Sequence, residues 1–60
     1  MQDYYEIHVQ EFKRKKWRTV SVHTDLIEAT AVADQRALRT LEPTRLFRID
    51  YSLIKSFHYA

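Results

Sequence analysis

Apolar and polar residues alternate with a period of two through residues 4–12 and again through residues 17–24, which predicts two β-strands. In the first run Tyr5, Ile7 and Val9 point one way, and Tyr4, Glu6, His8, Gln10 and Phe12 point the other. In the second, Val20 and Val22 share a face opposite Trp17, Thr19, Ser21 and His23. Only Lys13, Arg14, Lys15 and Lys16 separate the runs, so they read as a hairpin with a four-residue loop. Setting Phe12 across from Trp17 aligns Val9 with Val20 and Ile7 with Val22. It also sets Glu11 across from Arg18 and Glu6 across from His23, opposite-charge pairs that favour this register. One face then buries aliphatic side chains. The other carries Phe12, Trp17, His8 and His23 beside a cationic loop.

The spacing changes after His23. Asp25 is a good N-cap, and Glu28 three residues later makes an Asp version of the capping box. A helix is predicted over residues 26–41, ending before Pro43. Leu26, Ala29, Ala33, Ala37 and Leu41 fall on one stripe, whose alanines let the helix lie close to a sheet. Glu28, Gln35, Arg36 and Arg39 form the wet side; Ile27, Ala31 and Leu38 make a second apolar strip on the flank. Residues 46–51 read as a third strand, with Phe47, Ile49 and Tyr51 on one face and Leu46, Arg48 and Asp50 on the other. A right-handed crossover sets it parallel to one strand of the hairpin; pairing beside the first strand is preferred, because it puts that strand in the middle. The tail, residues 52–60, suits either an extended segment or a short helix capped by Ser52, and the extended form is preferred. The expected fold is therefore α+β, one small domain over residues 1–60. Its order is ββαβ, with a three-stranded sheet and one helix on one face.

Composition sharpens this picture at two points. Glycine is absent and Pro43 is the only proline, so every tight turn must be built without the residue that tolerates φ > 0 most cheaply. A lysine of the hairpin loop is expected in the left-handed region. With no cysteine, neither a disulfide nor a thiolate metal site can staple so short a chain. The net charge is only +2, but five of the ten Lys and Arg residues lie within residues 13–18, so the local field at the hairpin tip is positive. No apolar run approaches the roughly 20 residues needed to span a bilayer. The opening residues carry no basic and apolar leader, and the chain starts with Met1. A complete small reading frame in the cytoplasm is the expectation.

The candidate contact surface is Phe12, Trp17, Arg18 and His8 with Lys13, Arg14, Lys15 and Lys16. Clustered cations neutralise phosphates and exposed aromatics stack on bases, so nucleic acid is one partner class. Aromatic and arginine side chains also dominate protein-protein hot spots. The plain structural reading is a solvated turn with Trp17 packed on Phe12 as a clasp. His8, His23 and Glu6 are too few for a structural metal site, with only the distant His58 in addition. No nucleophile elbow or phosphate-binding loop is present. No enzyme activity, cofactor or metal is expected. A homodimer through Ile27, Ala31, Leu38 and the apolar tail is a third reading.

The stretch WRTVSVHTDLIEATAVADQRAL resembles the strand, polar cap and alanine-rich helix of many short bacterial and bacteriophage proteins. The order of elements over residues 4–51 resembles small phage-encoded inhibitors of host machinery, such as phage inhibitors of bacterial RNA polymerase and some anti-CRISPR proteins. That resemblance implies a non-enzymatic module, encoded by a phage or mobile element, that binds and modulates a host protein complex. Its motifs are generic, and no site residue is carried over from the group. Many such inhibitors are acidic mimics of DNA, whereas this chain is basic at its tip, which argues against mimicry.

Overall fold

The computed structural model describes residues 3–59. Its elements are β1 (Tyr5–Gln10), β2 (Trp17–His23), α1 (Leu26–Thr40), β3 (Thr44–Arg48) and β4 (Leu53–Phe57). The strands form one antiparallel sheet in the order β2-β1-β3-β4, with α1 on one face. The α+β class and the single helix are as expected, and β3 does pair beside β1. The expected three strands are four. The tail is extended and pairs with β3, which moves β3 from the edge to the interior. Ala60, the end of that tail, lies outside the described residues.

The helix is built as its sequence suggests. Asp25 is extended (φ −109°) and its Oδ2 accepts from the Glu28 N–H at 3.2 Å. Glu28 does not reach back to complete the box; its carboxylate meets His23 instead. Ala29, Ala33 and Ala37 are fully buried against Ile7, Leu46 and Phe57, with Val20, Val32 and Tyr5 packed around them. Leu26 and Leu41, at the two ends of the stripe, are exposed. The helix stops at Thr40, one residue early. Leu41 turns left-handed (φ 61°) and its N–H bonds back to the Ala37 carbonyl at 2.8 Å. Glycine is the usual residue in that C-terminal position.

The hairpin register differs from expectation. Glu11 and Lys16 close the loop, with Glu11 N to Lys16 O at 3.1 Å, so the loop is Phe12, Lys13, Arg14 and Lys15. Four loop residues are present as expected, but shifted one position toward the N-terminus, and Phe12 does not face Trp17. Trp17 pairs with Gln10 and Arg18 with Val9. A bulge between Ile7 and His8 in the ladder then sets Ile7 opposite Ser21, Glu6 opposite Val22 and Tyr5 opposite His23. The extra residue turns over the second half of β2. Val20 packs on the core while Val22 stands on the outer face, 57% exposed, and His23 moves to the helix side. Lys15 takes the left-handed conformation (φ 56°), as anticipated for a lysine of this loop.

Strand β3 ends at Arg48 rather than at residue 51 because Asp50 organises a turn. Its carboxylate accepts from Arg48 Nη2 and from the Ser52 N–H, both at 3.0 Å. The Tyr51 N–H meets the Arg48 carbonyl at 2.7 Å, and Tyr51 is left-handed (φ 63°). The expected alternation of Phe47, Ile49 and Tyr51 on one face therefore breaks after Arg48. The Arg48 guanidinium, then the Ser52 donors, hold the Asp50 carboxyl well below its ordinary value of 3.8.

Two expectations follow. Tyr51 is 68% exposed, so replacing it sacrifices little burial. Tyr51→Gly relieves a left-handed strain of about 1–2 kcal/mol, against an opposing rise in unfolded-state entropy worth about 0.4–1 kcal/mol. Denaturant unfolding should show a gain of up to about 1.5 kcal/mol; a lower midpoint contradicts the assignment of strain. Because the Asp50 pKa is lowered by folding, its contribution is present above the unfolded value near 3.8 and is lost as pH falls through the folded one. An NMR titration should place the Asp50 midpoint below 3.8 and return it toward that value in Arg48→Ala; equal midpoints in the two proteins contradict the pairing.

Candidate interaction surface

The basic tip is held by its own backbone. The Lys15 N–H donates to the Glu11 carbonyl at 2.8 Å, and the Gln10 side-chain amide donates to the Lys15 carbonyl at 3.0 Å. These bonds fix the chain reversal while the side chains of Lys13, Arg14, Lys15 and Lys16 remain exposed. Among the described residues none of these four makes an ion pair. Phe12 sits within the same loop, 58% exposed. The tip is thus an exposed phenyl ring beside four uncompensated cations on a constrained turn.

The remaining candidates separate from that cluster. Arg18 Nε lies 2.8 Å from Glu11 Oε1, so the expected ion pair forms, but as a diagonal contact rather than a directly opposed one. Trp17 stands half-buried on the outer face, and the Arg45 guanidinium lies 4.0 Å from its ring centroid. His8 is further in on that face. Its Nε2 donates to Glu6 Oε1 at 2.9 Å, and its ring packs on Phe47 with centroids 4.7 Å apart. His23 belongs to neither group: Nδ1 is 3.3 Å from Glu28 Oε1 and Nε2 is 3.0 Å from Ser21 Oγ, so a neutral ring protonated on Nδ1 satisfies both. The histidines expected together on the outer face lie on opposite sides of the sheet, and Glu6 pairs with His8 rather than His23. Among the described residues no group of three or more His, Asp or Glu side chains is placed to hold a metal ion.

Arg45 and Phe47 complete the outer face and were missed as site residues. Cross-strand rows run Thr19–His8–Arg45–Ser56 and Val22–Glu6–Phe47–Leu53. The signal was available in the parity of β3, since Arg45 and Phe47 alternate with the buried Thr44 and Leu46. A hollow of about 240 Å³ opens between Trp17, Gln10, Pro43, Arg45, Ser56 and His58. No helix among the described residues is long and apolar enough to cross a membrane. The chain matches no protein-family model, no curated protein and no solved structure.

Proposed function

We propose that this protein is a non-enzymatic interaction module, of the kind encoded by phages and mobile elements, that binds and modulates a host protein complex. The observation that carries this reading is Phe12, exposed on a backbone-pinned loop among four cations that have no acidic partner among the described residues. An exposed ring supplies area that is desolvated on docking, and the lysines steer encounter with an acidic surface. The effect on the partner is occlusion of the surface it covers.

Nucleic acid is the second reading, favoured by the same four cations. Trp17 supports it less, because Arg45 already occupies one face of the indole that a base would stack on. Salt separates the two. Four phosphate contacts predict an affinity loss of about 100-fold between about 50 and about 200 mM salt. Titration with labelled single- and double-stranded DNA and RNA should show no binding at the lower salt. Affinity capture from a bacterial lysate should retain a protein complex, with Phe12→Ala weakening it about 30-fold or more. Nucleic-acid binding with the steep salt slope replaces the first reading by the second. Undiminished capture by Phe12→Ala contradicts the docking surface.

A further inference from the structure

We propose that the free edge of β4 and the groove beside it form a homodimer interface, independent of the hairpin tip. A groove of about 570 Å³ lies between α1 and β4. Ile27, Ala31, Phe57 and Tyr59 give it apolar walls, and Asp34 and Lys55 are its charged members. Ile27 is 81% exposed, an isoleucine that the monomer leaves almost wholly in water. Tyr59 donates its hydroxyl to Asp34 and so pins the end of the tail against the helix. Among the described residues neither Lys55 nor Asp34 makes an ion pair.

The backbone of β4 is open along the same rim. The Gln10 N–H bonds to the Pro43 carbonyl, which by alternation turns the peptide groups of Arg45 and Phe47 toward β1 and those of Thr44, Leu46 and Arg48 toward β4. Opposite them, Lys55 and Phe57 direct theirs to β3. Ser56 therefore turns its N–H and C=O outward, with no strand beyond it among the described residues. An antiparallel pair of β4 strands centred on Ser56 makes a hydrogen-bonded pair at the two-fold axis and sets each Lys55 opposite the partner's Phe57. A pair centred on Lys55 would instead bring two ammonium groups together at the closest type of cross-strand site. The Ser56 register yields one eight-stranded sheet with both helices on the same face and the two grooves facing each other. Each Lys55 then points at the groove that holds the partner's Asp34, and the relation is reciprocal, as a two-fold interface requires. This charge match within a single groove selects a second copy over a foreign strand. A domain this small also gains from burying the surface its own core leaves exposed.

Sedimentation velocity from micromolar to millimolar concentration tests the proposal. The expected result is a mass that rises to twice that of the chain. Ser56→Pro removes the outward N–H without touching the β3 ladder and should hold the protein monomeric, with the native circular dichroism spectrum. Lys55→Glu should weaken association about tenfold or more, and Lys55→Glu combined with Asp34→Lys should restore it. The charge series decides the matter if the proline variant does not fold. A single-chain mass throughout, or a dimer that persists undiminished in Lys55→Glu, overturns the interface.

Discussion

Close contact between the alanine face of α1 and the inward side chains of Ile7 and Leu46 is the constraint on which the other features rest. Ala29, Ala33 and Ala37 carry single methyl groups, so the helix backbone can approach the sheet without a layer of large side chains between them. Those methyls lose no rotamer entropy on burial, and alanine is the best helix former. The large buried side chains all come from the sheet: Ile7, Val9, Leu46 and Phe57. Each contributes about 1.5–3 kcal/mol on burial. In a core with so few members the fourth strand matters, because it delivers Phe57.

A helix on one face leaves the other face of the sheet to cover itself. Arg45 lies over Trp17, and His8 packs between Glu6 and Phe47. These contacts shield the peptide layer with amphipathic side chains rather than with a second helix. The same economy leaves three regions open: the cationic tip, the outer face and the rim of β4. The tip joins β1 and β2, and β3 stands between β1 and the β4 rim. A dimer through β4 would place two basic tips at its two ends and make the molecule bivalent toward a repeated or extended partner.

Period-two alternation, an N-cap and a spaced alanine stripe were enough to read β1 and the helix, and the preference for a central first strand set β3 beside β1. The errors share one physical origin. The bulge in β2 and the left-handed residues Leu41 and Tyr51 have no glycine to announce them, so charge and alternation alone mark the turns. Val20 looked equivalent to Val22, yet the bulge sends them to opposite faces. Tyr51 looked like a strand residue because tyrosine favours strands, but the Asp50 contacts force it into a turn. The basic tip was legible because four consecutive cations remain exposed under either register. The companionship of Trp17 and Arg45 was not, since it depends on which strand neighbours β1 and on an exact register across it.

The most direct measurement compares one substitution at two neighbouring helix positions in dilute solution. Ala33 lies at the sheet contact and Ala31 on the exposed flank. If close approach of the helix governs the fold, Ala33→Leu forces the layers apart and costs about 1–3 kcal/mol or more of unfolding free energy, while Ala31→Leu stays within about 0.5 kcal/mol of the parent. Equal stability of the two variants would contradict the account.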